Sequence, residues 1–391
     1  MRKNMPTIPV GEYRERWEKV QELMDRKGLD LFLAYADDHA VFGPAYARWL
    51  ANFPVHFEPI CILMSRDKEP ILLCGAESDG YAMLVGQIPD VRILEEFTHP
   101  DEDYLHTRIQ NLQAVAADLV DIKSIKKIGI AGQSLLGAYA YLKFQQAFPN
   151  AQWVDIEHDM SLLRAKKSKA ELEVIRYAYG IAQRGMQAAM DAIRAGAIER
   201  EVAAIVEYTM RMAGAEGTGI DTMIGSGDNS RHVISRTTFR EIQEGDIVQV
   251  TIAPRYEGYH GAVARPIFVG EPKDEALHAL EAAHRAQLAC YRAIRPGIEG
   301  REVEAIGRKI MDEANLGKYF QYSGIHSIGI MEFEPPIFGP TQDDKLEEGM
   351  TISVDIPVFG APWGGFRLED GYLVTANGAE RLNLTDYFVI K

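Results

Sequence analysis

Residues 192–213, AIRAGAIEREVAAIVEYTMRMA, align without a gap on residues 293–314, AIRPGIEGREVEAIGRKIMDEA. Identities fall at Ala192, Ile193, Arg194, Gly196, Arg200, Glu201, Val202, Ala204, Ile205, Met210 and Ala213, eleven of twenty-two positions. No other feature constrains the fold as tightly, because a chain that repeats one supersecondary unit buries the unit's apolar face against its copy. The correspondence continues beyond the helical stretch. GDIVQVTIAP (245–254) lies over GMTISVDIPV (349–358), with Val248, Val250 and Ile252 answering Ile352, Val354 and Ile356. Each half reads as helix, helix, β-hairpin, and two such halves facing each other enclose a pocket at a pseudo-twofold axis.

The pocket is lopsided. Asp355 and Glu369 lie on successive strands of the second hairpin (ISVDIPVF and FRLEDGYLV), both set to point inward. The equivalent inward places of the first hairpin hold Thr251 and, approximately, Ala262.

Ahead of the repeat the chain alternates between helix and strand. EYRERWEKVQELMDRKG carries apolar residues at helical spacing (Trp17, Val20, Leu23, Met24) and ends on Gly28, a natural helix stop. LDLFLAY, PICILM, PILLC, KIGIAG and QWVDI read as short buried strands, with helices expected over roughly 102–120 and 135–147. Such alternation predicts an α/β domain. A chain of 391 residues suits two domains, and we place them at 1–159 and 160–391. The second opens on a long helical pattern broken by Gly180, with the KKSK run at 166–169 as a solvated helix start.

A net charge of −15 argues against a nucleic-acid footprint, which needs clustered Lys and Arg. Three cysteines with no CxxC spacing fit a reducing compartment. No apolar run reaches the ~20 residues of a membrane span, and no apolar segment follows the basic start. A soluble cytoplasmic protein with no membrane partner is expected.

Taken together, LLRAKKSKAELEVIR, GIHSIGIMEFEPP and EEGMTISVDIP…FRLEDGYLVT resemble the creatinase, prolidase and methionine aminopeptidase family. The resemblance covers nearly the whole chain. It implies an α+β pita-bread catalytic domain preceded by a smaller α/β domain, and a homodimer. In the metallopeptidase branch two Asp, a His and two Glu hold a pair of divalent ions. Those positions fall here on Thr251, Ala262, His326, Asp355 and Glu369, and a second family histidine falls on Phe333 beside a retained Glu334. The missing carboxylates predict that no cofactor is required. A weak single ion such as Mn or Zn on His326, Asp355 and Glu369 is the arrangement left to a metal.

The expected function is therefore a metal-independent, creatinase-like hydrolase that cleaves a C–N bond in a small, zwitterionic nitrogen compound. Creatine itself is not the expected substrate, because Ala264 stands where creatinase has a Glu. His232, at a family histidine position, is expected to shuttle protons, His326 and Glu369 to position water, and Asp355 to hold a cationic nitrogen. Arg265 is expected either to clamp a substrate carboxylate or to neutralise Glu369 or Asp370. His260, Glu334 and Trp363 complete the expected substrate pocket. Phe53, with Arg48 and His56, is expected to reach it from the N-terminal domain of a dimer partner. Two alternatives stand beside this reading: a metal-dependent Xaa-Pro dipeptidase or aminopeptidase, and a non-catalytic binding module.

Overall fold

The structure is a computed structural model that describes residues 5–39 and 41–391. The chain divides into two units, Ile8–Arg164 and Ala165–Lys391, the latter joined by the described residues before Ile8. The division falls at the end of the helix Glu157–Ala165, a little beyond the boundary expected after Asp159.

In the N-terminal unit the helix Val10–Lys27 buries Trp17, Val20, Leu23 and Met24, and Gly28 ends it at φ 65°. The chain then enters the strand Leu31–Ala36, buried along its whole length, which pairs antiparallel with Ile60–Met64 and parallel with Lys127–Ala131. Among the described residues seven strands form this sheet. Of the helix expected over 102–120 only Leu112–Ala116 is helical. Leu112, Val115 and Ala116 reach the core, whereas Leu105 is 83% exposed, so the segment before Asn111 has no apolar stripe to hold a helix down. The next helix begins at Ala138, just past Gly137.

The C-terminal unit carries the repeat. Helices α1 (Lys169–Ala192) and α2 (Glu199–Met212) precede strands β1 (Met223–Ser226), β2 (Ile247–Ile252) and β3 (Val263–Phe268). Helices α3 (Asp274–Ala293) and α4 (Gly300–Glu313) then precede β4 (Ile325–Ser327), β5 (Glu334–Ile337), β6 (Thr351–Ala361) and β7 (Gly364–Thr375). Helices α2 and α4, which hold the repeated residues, are each 14 residues long. The main path of the sheet runs β5–β4–β6–β7–β3–β2–β1, so the order β4–β6–β7 of one half is answered by β1–β2–β3 of the other, meeting at β7 and β3.

Strand alternation sends Ile352, Val354, Ile356, Leu368 and Tyr372 to one face, where they pack with Ala279, Ala283, Ala286 and Cys290 of α3 in one core. The other face carries the polar side chains. The helical pattern breaks at Lys166–Ser168 rather than at Gly180, which lies inside α1 with open space around it. Ser168 caps α1 by accepting from the Glu171 amide (3.1 Å), while Glu171 accepts from the Ser168 amide (2.7 Å). Lys167 is no solvated helix start. It is buried in an ion pair with Glu334 at 3.1 Å. No helix among the described residues is long and apolar enough to cross a membrane.

Candidate active site

The sheet register sets the site. Thr251 pairs with Ala264, Ala264 with Glu369, and Glu369 with Asp355, so four adjacent strands place these residues in one row on one face. The residue opposite Thr251 is thus Ala264. Ala262 lies immediately before β3, fully buried. Both halves contribute to the row, and only the second contributes charge.

Alternation sends Arg265 and Asp370 to the opposite face. There the Arg265 Nη2 meets Asp370 Oδ1 at 2.5 Å, and its remaining donors go to the carbonyls of Ala264, Glu369, Thr385 and Asp386. All five N–H groups of the fork are used. Of the two roles expected for Arg265, the ion pair is the second, neutralising Asp370; the substrate clamp is corrected, since the guanidinium braces the sheet from behind.

The guanidinium on the polar face is Arg367, two residues before Glu369 on β7. It donates through Nη1 to Asp355 Oδ2 (3.4 Å) and through Nη2 to the Val233 carbonyl. The sequence signal was the two-residue spacing of Arg and Glu in FRLED, which puts both on one face. Tyr322 donates its hydroxyl to Asp355 Oδ2 at 2.5 Å, and Ser353 donates to Glu369 Oε1 at 2.8 Å. Asp355 Oδ1 and the Thr251 hydroxyl are buried without partners.

His326 pairs across from Ser353. Its Nδ1 lies 2.9 Å from the Ser327 carbonyl, which assigns the proton to Nδ1 and leaves the Nε2 lone pair facing Glu369 Oε1 at 3.9 Å. Burial lowers the His326 pKa and so favours the neutral ring. Burial also raises Asp355 and Glu369 above the usual carboxylate range, against the attraction of Arg367. Glu332, which sequence reasoning missed, is a third buried carboxylate; burial raises it most, then the charge of Glu369. The Tyr179 ring of α1 fills the place where a side chain on Gly371 would stand, and its hydroxyl has no partner.

The other expected residues are distributed differently. His232 is exposed at the end of the short turn Gly227–Arg231. Its carbonyl accepts from Gln249 (3.0 Å), and the next carbonyl is the one Arg367 meets. His260 is buried with Nδ1 3.1 Å from the Gly329 carbonyl, and burial together with Arg255 depresses it to about 3. Glu334 is held by Lys167, and the Phe333 ring lies 4.5 Å from the His326 ring. Trp363 packs its ring near Tyr319 (6.4 Å) and Phe366 (6.3 Å), partly buried against the hydrophobic core. Phe53 is buried in its own unit, 6.1 Å from Tyr81, so its ring serves local packing.

Two divalent ions at short range need bridging and terminal carboxylates to offset four positive charges. Thr251 offers a neutral hydroxyl, Ala262 and Ala264 offer no donor, and Arg367 adds a positive charge. The residues present do not fit a pair of ions. Among the described residues no three Asp, Glu, His or Cys side chains are gathered at metal-binding geometry. His326 Nε2 and Glu369 Oε1 stand 3.9 Å apart, and these are the donors that would hold a single ion.

Residues 173–376 match the model of metallopeptidase family M24, and residues 16–166 match the creatinase/prolidase N-terminal domain. A Xaa-Pro dipeptidase of Pyrococcus horikoshii is 29% identical over 328 residues, which cover 83% of this chain and 93% of that protein. One from Pyrococcus furiosus is 34% identical over 266 residues, covering 68% of this chain and 76% of that protein. The crystal structure of the prolidase from Pyrococcus horikoshii superposes on 95% of this chain and 99% of its own with a TM-score of 0.82 at 27% identity.

These likenesses correct two expectations. The named relatives are Xaa-Pro dipeptidases, which overturns the metal-independent, creatinase-like reading drawn from the missing carboxylates. The matching family is one of metallopeptidases, which likewise overturns the expectation of no cofactor. With its catalytic unit and its N-terminal unit both matched, the chain belongs to metallopeptidase family M24, a family of hydrolases with the pita-bread fold.

Proposed function

We propose that this protein cleaves the peptide bond of Xaa-Pro dipeptides, with its metal requirement carried by the second half of the site. The supporting observation is that β4, β6 and β7 bring His326, Asp355, Arg367 and Glu369 to one polar face of the sheet, in a chain that follows a prolidase nearly end to end.

His326 and Glu369, with Asp355 alongside, would hold a single divalent ion, which when bound polarises a carbonyl and acidifies water. Asp355 keeps one oxygen unpartnered and has a proton affinity raised by burial. It takes the proton of the attacking water and returns it to the prolyl nitrogen as the C–N bond breaks. Tyr322 and Arg367 fix its other oxygen. Arg367, anchored by the Val233 carbonyl, opposes the negative charge that develops on the scissile carbonyl oxygen.

The test is hydrolysis of a panel of Xaa-Pro and Xaa-Ala dipeptides with Mn, Co or Zn added, and with chelator. The expected result is metal-stimulated cleavage selective for Xaa-Pro, with kcat lowered about 10²- to 10⁴-fold by Asp355→Asn. Failure to cleave any Xaa-Pro dipeptide with any of the metals would overturn the proposal.

A further inference from the structure

The two halves of the sheet meet where β3 and β7 pair, among the described residues, at one position, Ala264 with Glu369. Two residues further along β7 stands Gly371, opposite Ser353 of β6 and on the same face as Glu369. Past this point β7 pairs with the strand Gly378–Arg381 instead. The residues on either side of the parting are small: Gly261 and Ala262 just before β3, and Gly371 on β7.

Tyr179 of α1 fills that place. A Cβ on Gly371 would fall inside its phenol, at the hydroxyl end. A Cβ on Gly261 would stand 2.5 Å from the Tyr179 amide nitrogen, so α1 packs directly on the backbone beside Ala262 and the ring starts from a fixed point. Burial pushes the phenol pKa far above its ordinary value, and the Ala262 amide opposes that rise, which puts the hydroxyl near the Ala262 backbone as well as over Gly371. Tyr179 is fully buried, and its hydroxyl has no hydrogen-bond partner among the described residues. Ala262 is one of the two positions on which the carboxylates of the first hairpin fall in the metallopeptidase branch. Beside it stands a neutral phenol, which takes up room and offers a divalent ion none of the charge that a carboxylate would.

We propose that Tyr179 plugs the first half of the site, so that this chain is held to one divalent ion by occupied space as well as by its missing carboxylates. The inference rests on the one-ion reading above and names the residue that enforces it. Gly371 and Tyr179 act as a unit, the glycine admitting the ring, and returning carboxylates to the first hairpin does not restore a second ion while the ring remains.

The experiment returns those carboxylates to the full-length chain with Thr251→Asp and Ala262→Asp. Manganese retained after incubation with excess metal and desalting is counted by elemental mass spectrometry in this variant, alone and combined with Tyr179→Phe or Tyr179→Ala. The expected result is no gain over wild type for the two-carboxylate variant alone or with Tyr179→Phe, and one further equivalent with Tyr179→Ala. A gain with the ring in place, or none once it is removed, would overturn the inference. A second measurement does not depend on the added carboxylates: Gly371→Ala should lower the denaturation midpoint in wild type and much less in a Tyr179→Ala background. Equal lowering in both backgrounds would likewise overturn it. The one-ion reading fails separately, if wild type retains no manganese; a further equivalent gained only on Tyr179→Ala would still uphold the plug.

Discussion

At the scale of single residues, the site is built from carboxylates that the fold holds protonated more readily than water would. Glu332, Asp355 and Glu369 are each raised by burial. A carboxyl whose folded pKa lies above its unfolded value, about 4, contributes stability that is full below that value and is lost as pH rises through the folded pKa. Above the range in which the lowered His260 and His326 would add stability as pH rises, the melting temperature should therefore fall as pH climbs from about 7 towards 9, and Glu332→Gln should flatten that fall and raise the melting temperature at the alkaline end. Calorimetric scans across that range decide it; a wild-type melting temperature that rises with pH would contradict the placement of these groups. His326 and Glu369 could be named from sequence because each sits in a segment with a family counterpart. Glu332 could not, since its neighbours in MEFEPP give no sign that it is buried.

Elements explain why two arginines of similar burial differ in consequence. Arg265 on β3 and Arg367 on β7 are separated by the alternation of the sheet, the first behind it with Asp370 and the second before it with Asp355. Arg265→Met leaves Asp370 short of its main partner and should cost about 3–5 kcal/mol, read as a lower denaturation midpoint. Arg367→Met should lower kcat far more than it lowers stability. Equal loss of stability with unchanged kcat in both variants would refute the two-face assignment. The sequence carried the strand periods and the repeat, and with them Asp355, Glu369 and the emptiness at Thr251. Register was harder to read: that Ala264 is the residue paired with Thr251, and so stands between it and Glu369, is not given by alternation alone. The break at Lys166–Ser168 was hidden for a similar reason. Lys167 reads as a surface charge until a partner 167 residues away, Glu334, is brought to it.

For the molecule as a whole, the internal repeat gave two halves that are alike in elements and unlike in chemistry. Helices α2 and α4 have the same length and the strand orders answer each other, yet every charged residue of the central row comes from the second half. The missing first-half carboxylates were legible in the sequence, but the conclusion drawn from them, a metal-independent hydrolase of a small zwitterionic nitrogen compound, was not warranted by position alone. Relatives that act on Xaa-Pro dipeptides share the fold along nearly the whole chain. The account that reconciles these facts is an M24 hydrolase whose metal capacity lies in one half of its site. The most direct test is the number of manganese equivalents retained per chain after incubation with excess metal and desalting, measured by elemental mass spectrometry. The account predicts one equivalent, lost on replacing His326 or Glu369. Two retained equivalents would show that other residues stand in for Thr251 and Ala262, and would contradict it.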